Sequence, residues 1–454
     1  MNNKISQQCS FTVNASFGTE LDKLNTPGSL EYNSSDLFIS SNSHNLQKLV
    51  ASGQLVYGIG SLLGTDENQK EIITPVHLTL DGFSPLISRE NITDVGEATF
   101  NKYQILSSFI GDFFVNKETK FKDIIAYLTN FSNWLSSDLN NPKYSLQDHD
   151  KFLATVKTPD TPNMIAKSAQ NKNLQLMRGD SAFNAKNSLT SVTSSVVVNN
   201  YIQLKAINGS ISQLLLVNQQ INSWYNLITG TTEKVYKIIG TRDDPSHKAP
   251  QEVQLFNSNS CKVNFNDFSY ITTFIRRTKD LYQNCIDSLN TWINSYDALI
   301  SIYNSIKPNQ PGELDQQLQN ECVALQLIFD TFYEPEYRKK KSLSKDRKIN
   351  YKCKVNYVLK EKIDSDMLNK ATKKYEPISN DKDFITQIKD IRNTLSHSST
   401  TREHVPLENR SVLHALLRII IRDWLLSKIG IQRNYINAEY FVNKPFNFSV
   451  IHTW

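Results

Sequence analysis

The period of the hydrophobic pattern changes once along this 454-residue chain, and that change limits the folds open to it. Ahead of about residue 260 the apolar residues tend to alternate. In PVHLTL, Val76, Leu78 and Leu80 fall on a period of two, as on a strand with one buried face. Beyond residue 260 they recur at steps of three and four. Leu318, Cys322, Leu325, Phe329 and Phe332 trace one stripe of a helix over 314–332, which Pro335 is expected to close. Such a chain reads as α+β and multidomain: a β-rich N-terminal domain over 1–260 with at least one helix, then an all-helical bundle over 261–454.

Within the first part, residues 1–50 are polar and punctuated by turn signals. QLVYGIGSLLG and KEIITPVHLTLDGF follow as extended segments, and 99–115 and 121–134 as further strands ending near Trp134. The glycines of GIGSLLG lead into a strand pattern. A nucleotide-binding fingerprint needs a phosphate-cradling helix there instead. His77 lies off the Val76 register and reads as a half-exposed strand residue. Residues 136–188 are polar and predict irregular connections among weaker strands. VTSSVVVNNYIQLKA predicts a strand, 211–229 a helix ended by Gly230, and EKVYKIIG a short strand before a surface loop at Arg242.

In the second part, 267–306 fits two helices or one interrupted helix, and 411–429 a helix buried on nearly all sides. The aromatic end, FVNKPFNFSVIHTW, is expected to pack back onto the bundle. The formal charge of +5 permits a nucleic-acid partner without requiring one, so its distribution matters more. Between Arg338 and Lys374 stand fourteen Lys or Arg against four acids. Arg338, Lys339, Lys340, Lys341, Lys345, Arg347 and Lys348 form a candidate phosphate-contacting patch, and a solvated linker fits the same residues equally well. Tyr337, Tyr351 and Tyr357 are the few aromatics interleaved with it, which favours backbone contact by charge over base stacking.

Cys9, Cys261, Cys285, Cys322 and Cys353 are scattered and odd in number, giving neither a disulfide framework nor a zinc pattern. The eight histidines form no HExxH, so the sequence implies no metal and no cofactor. No apolar run reaches membrane-spanning length and MNNKISQQCSF is no secretion signal, which predicts a soluble, cytoplasmic protein without a membrane partner.

The candidate chemistry sits in DFITQIKDIRNTLSHSST, 383–400. Phe384, Ile388, Ile391 and Leu395 make the apolar stripe of a helix, and Arg392, Asn393 and His397 lie off it. Asn393 and His397 stack one turn apart, whereas Arg392 and His397 diverge by about 140° on the wheel. They converge on one phosphate if the helix ends near Leu395 or if a second copy crosses nearby. The Ser/Thr-rich run from Ser396 to Thr401 favours such an ending. A surface helix with solvent-facing Arg and His has the same spacing. Arg402, His404 and Arg410 follow in a predicted loop, within reach of a nucleic acid or simply on the surface.

The order Arg392, Asn393, three variable residues, His397 resembles the hallmark of the HEPN superfamily, small all-helical domains many of which are ribonucleases. The resemblance extends to the ApeA-like anti-phage branch, with a β-rich domain ahead of the HEPN domain, through 111–135, FNDFSYITTFI at 265–275 and NTWINSYDALISIYNS at 290–305. Where that branch tends to carry Ala-Leu-Glu, this chain has Ala324, Leu325 and Gln326, leaving Glu321 one turn earlier as a substitute acid. The resemblance implies a metal-independent endoribonuclease of abortive infection, with Arg392, His397 and Asn393 as its catalytic residues. Glu321, Gln326 and Ser396 would support them, and the basic patch with Arg402 would bind RNA. It further implies an RNA substrate, tRNA among the candidates, a homodimer bringing two motifs together and a phage-derived trigger. The alternatives are an inactive HEPN module that binds RNA or dimerises, and a sensor of a phage ligand.

Overall fold

The computed structural model describes residues 11–33, 36–41, 45–65, 71–85, 102–128, 143–146, 152–155, 163–187, 192–229, 235–257, 281–307, 313–366, 368, 369, 373, 384–396 and 407–431. A β-barrel and sheet region over about 11–256 precedes an all-helical region over about 282–428. By packing the chain divides into two compact units, 1–222 with 234–271, and 223–233 with 272–454.

In the first unit, six antiparallel strands close into a barrel: β1 (Phe11–Gly18), β2 (Thr26–Asn33), β3 (Asp36–Ser40), β4 (Val56–Thr65), β5 (Glu71–Pro85) and β6 (Lys102–Gly111). They run in the order β1, β2, β3, β6, β5, β4 and back to β1. Closure removes the free edges that a six-stranded sheet would otherwise expose. The interior holds Val13, Phe17, Leu30, Leu37, Ile39, Val56, Val76, Leu78, Leu80 and Ile105, all fully buried, and α1 (Asn45–Ala51) adds Leu46. The GIG glycines find their use here. Val56, Gly58, Gly60 and Leu62 face inward along β4, and a Cβ on Gly58 would come 2.7 Å from the ring of Phe17. Gly58 is small because a large neighbour fills its space.

One edge of β6 belongs wholly to β5. The other is divided, with Lys102–Gln104 pairing β3 and Ser107–Gly111 pairing β14 (Gln251–Asn257). From β14 an open sheet continues through β13 (Val235–Arg242), β7 (Asp123–Leu128), β12 (Val192–Leu204), β11 (Leu174–Asn187) and β10 (Asn163–Lys167). β8 (Lys143–Leu146) and β9 (Phe152–Thr155) pair separately. The polar stretches are thus more regular than the sequence predicts. The first fifty residues hold three barrel strands, and β11 runs fourteen residues through the segment expected to be irregular. Ladder hydrogen bonds to β12, from Leu174↔Leu204 to Asn187↔Val192, come from the backbone and need no apolar side chain. Trp134 lies outside the described residues.

Helix α2 (Ile211–Thr229) buries Leu214, Val217 and Ile221 in its first unit portion. Its last turns belong to the second unit, where Trp224 Nε1 donates to Ser288 Oγ at 3.0 Å and Arg422 Nε to the Leu227 carbonyl at 2.8 Å.

The second unit carries α3 (Leu281–Asn294), α4 (Tyr296–Asn304), α5 (Leu314–Phe332), α6 (Glu334–Lys340), α7 (Tyr351–Tyr357), α8 (Phe384–Ser396) and α9 (Leu407–Lys428). Helix α5 is central and packs on α4, α6, α7, α8 and α9. Four residues of its predicted stripe, Leu318, Cys322, Leu325 and Phe329, are buried at 0% exposure, and the fifth, Phe332, is half-buried. Pro335 does not close the helical run. Tyr333 breaks α5, and Pro335 sits in the first turn of α6, where a missing N–H costs no helical bond. Helix α9 starts earlier than predicted and takes in Arg410, which pairs with Asp315 of α5 instead of lying in a loop. Its end is a Schellman turn. Gly430 at φ +85° lets Ile431 N–H reach the Leu426 carbonyl at 2.9 Å while its own N–H reaches Ser427 at 3.1 Å.

Candidate functional site on helix α8

Helix α8 places Phe384, Ile388 and Ile391 in the core at 4%, 0% and 1% exposure, so the stripe anchors the helix against α5. Burying each contributes about 1.5–3 kcal/mol. Arg392 and Asn393 fall on the helix flank, both half-buried. Arg392 Nη1 lies 3.5 Å from Asn393 Oδ1, at the limit of a hydrogen bond, and its guanidinium joins no salt bridge among the described residues. The helix runs to Ser396, whose side chain lies outside the described residues, as do His397, Arg402 and His404.

What holds Arg392 is an aromatic ring. Its Cζ stands 5.1 Å from the ring centroid of Tyr351, the first residue of α7. Tyr351 is fixed in turn, because its hydroxyl donates to the Cys322 carbonyl on α5 at 3.0 Å. Burial raises the Tyr351 hydroxyl far above its usual range, so it stays protonated and remains a donor. Cys322 Sγ faces the Ile388 carbonyl at 3.9 Å, and burial pushes its thiol up to about 12. Helices α5, α7 and α8 are therefore stitched together beneath Arg392. Sequence reading registered Tyr351 only as an aromatic in a basic segment; nothing in the spacing connects it to a residue forty-one positions later.

The supporting residues separate. Glu321 is fully buried on α5 but turned to α9, where its Oε1 lies 2.7 Å from Nδ1 of His414, itself 5% exposed on the side chain. The contact is close but off-axis, so neither carboxylate oxygen has a well-aligned donor. Burial raises the Glu321 pKa, and His414 and then Arg418 oppose the shift. Gln326 is bound to its own helix, Nε2 to Asp330 Oδ2 at 3.3 Å, and Asp330 also takes Lys354 Nζ at 2.7 Å.

The basic patch divides into cations already used and cations left over. Arg338 donates Nε to Glu334 at 2.7 Å, and Nη1 to the carbonyls of Ser344 at 2.7 Å and Arg347 at 3.1 Å. It is an internal strut of the 341–350 loop that links α6 to α7. Lys340 pairs with Glu361 at 2.6 Å. Lys339, Lys341, Lys345, Arg347 and Lys348 are exposed, and their side chains carry no ion pair among the described residues. Tyr337 and Tyr357 are buried edge-to-face with Phe329, so neither offers a free stacking face. Asn350 caps α7, accepting from Cys353 N–H at 2.8 Å, and thereby sets where the loop stops and Tyr351 begins.

Among the described residues no group of three or more His, Cys, Asp or Glu is placed to hold a metal ion. None of their helices is long and apolar enough to cross a membrane. No curated protein matches the chain. Residues 318–435, which carry most of α5, the basic loop, Arg392 and the whole of α9, match the family model for Apea-like HEPN, and that match supports assigning this segment to the HEPN superfamily.

Proposed function

We propose that the chain is a metal-independent endoribonuclease of anti-phage defence that works as a homodimer, with the α8 motifs of two copies meeting on one scissile phosphate. The observation that carries this reading is Arg392: a half-exposed guanidinium inside the HEPN segment, held on a ring and bound to no carboxylate among the described residues. A permanently charged, forked donor in that condition is available to a phosphodiester. Asn393 stands three positions before Ser396, the last described residue of α8, and His397 is the next residue in the sequence.

The chemistry uses the substrate's own nucleophile. One histidine takes the proton of a ribose 2′-OH, and O2′ attacks the adjacent phosphorus. The bond to the 5′-oxygen breaks, and that oxygen leaves with a proton from a second acid. Products are a 2′,3′-cyclic phosphate and a 5′-hydroxyl. Histidine titrates near pH 6.5 and suits either role, while Arg392 stabilises charge building on the phosphoryl oxygens. Asn393 orients the imidazole or bonds the phosphate. Lys339, Lys341, Lys345, Arg347 and Lys348 hold the flanking backbone by charge.

The test is incubation of total cellular RNA with the purified protein in EDTA, alone and with extract of infected cells, beside Arg392→Ala and His397→Ala. Discrete cuts ending in 2′,3′-cyclic phosphate, absent from both variants and from a DNA control, are expected. Intact RNA in every arm would sink catalysis at this motif; retained RNA binding in those arms would leave the segment a binding module.

A further inference from the structure

We propose that Tyr351 is the positioning residue of Arg392, and that through it the basic loop and the catalytic helix are registered to one another. The inference rests on the ribonuclease reading for its consequence but on geometry for its substance.

An arginine on a helix flank has many rotamers, and a guanidinium that must meet a phosphate in one orientation gains from having most of them removed beforehand. Four contacts remove them here. The Tyr351 ring lies under the guanidinium at 5.1 Å. The ring is half-buried between α5 and α8, and its hydroxyl donates to the Cys322 carbonyl at 3.0 Å. The backbone cannot slide, because Asn350 caps the helix that Tyr351 starts. Asn393 Oδ1 meets the guanidinium from its own helix at 3.5 Å. The face of the guanidinium is thus occupied, and apart from the Asn393 contact its N–H edge meets no other acceptor among the described residues.

The same residue ends the loop that carries the uncommitted cations. Lys348 is three residues from Tyr351 and Arg347 four, so their Cα atoms lie within about 10 and 14 Å of it at full extension. Arg338, holding the carbonyls of Ser344 and Arg347, fixes the far side of the loop. A backbone phosphate gripped by the loop and one gripped by Arg392 are therefore spaced by a rigid element and not by a flexible linker.

Two variants separate the ring from the hydroxyl. Tyr351→Phe keeps the stack and loses the bond to Cys322; Tyr351→Leu loses the stack. In full-length protein, single-turnover cleavage should fall about 2- to 30-fold in Tyr351→Leu, the span of a cation–π contact from exposed to desolvated, with far less change in RNA affinity. Tyr351→Phe should recover most of the rate. In an Arg392→Ala background, Tyr351→Leu should cause no further loss, because a residue acting only through Arg392 has nothing left to act on. A second readout needs no cleavage: phenylglyoxal modification of Arg392, followed by peptide mass spectrometry with Arg347 as internal reference. It should run several-fold faster in Tyr351→Leu than in wild type or Tyr351→Phe. Equal modification in all three proteins overturns the proposal, and so does unchanged cleavage by a folded Tyr351→Leu protein that cuts RNA. If wild type cuts no RNA yet modification follows the ring, the ribonuclease reading falls and the positioning of Arg392 stands.

Discussion

Arg338 is the sharpest test of how the basic segment works, because the sequence groups it with its neighbours and the structure gives it a different task. Replacing it by Met keeps an unbranched apolar stem and removes the fork. Two bonds from a charged donor to loop carbonyls and one partly wet pair with Glu334 are lost, which should cost about 2–3 kcal/mol at most. Urea melts should read that loss, and limited proteolysis should find the 341–350 loop newly open. RNA binding then separates strut from contact. If the five unpaired cations each neutralise one phosphate of a single strand, log K should fall with log salt at a slope of about −3.5, or about 100-fold between 50 and 200 mM. Arg338→Met should weaken binding by loosening the loop yet keep that slope, whereas Lys345→Ala should flatten it by about 0.7. Equal flattening by the two variants would refute the strut. A slope near zero in the wild type would remove RNA from the loop altogether.

Other perturbations have equally definite signs. Burial raises the Glu321 pKa in the folded state, so the protonated carboxyl is the form that folding favours. That stability is complete below the unfolded carboxylate range near 4.5 and is lost as pH rises through the raised folded value. Glu321→Gln should therefore raise the melting temperature at neutral to alkaline pH, with the gain vanishing towards pH 4; a destabilised variant at pH 8 would mean that the His414 contact outweighs desolvation. Gly58→Ala drives a methyl to 2.7 Å from the Phe17 ring and should destabilise the barrel by about 1–3 kcal/mol, read by denaturant unfolding; a change below the error would mean that Phe17 can move. Burial pushes the Cys285 and Cys322 thiols up, so native alkylation should label Cys353 well before either of them, with peptide mapping as the measurement.

The helical half was legible because its contacts are written locally. Leu318, Cys322, Leu325 and Phe329 share a face by spacing alone, and 314–332 is the helix that the spacing predicts. Pro335 misled because proline ends one helix and begins another with the same chemistry, and only the break at Tyr333 decides between them. The barrel was hidden for the opposite reason. Its closure depends on the pairings of β1 with β4 and of β3 with β6, which join segments far apart in the chain, so Phe11 and Val13 carry no sign of the closed wall that buries them. At the site, Arg392 was visible through a motif, but what orients it is a tertiary contact with Tyr351. Arg338 and Lys345 are alike as letters; only three carbonyl and carboxylate oxygens distinguish them.

The divided edge of β6 sets an order of assembly during synthesis. Every strand of the barrel has emerged once Gly111 has left the ribosome, so the barrel can close while the rest of the chain is still being made. The Ser107–Gly111 half of that edge then waits unpaired for β14, some 140 residues later, and the open sheet cannot be finished before it. Domains complete in the order in which they are translated, and α8 lies beyond all of these strands. The segment that bears Arg392 is consequently among the last to acquire its structure, and a chain interrupted between Gly111 and residue 384 can hold a closed barrel without helix α8.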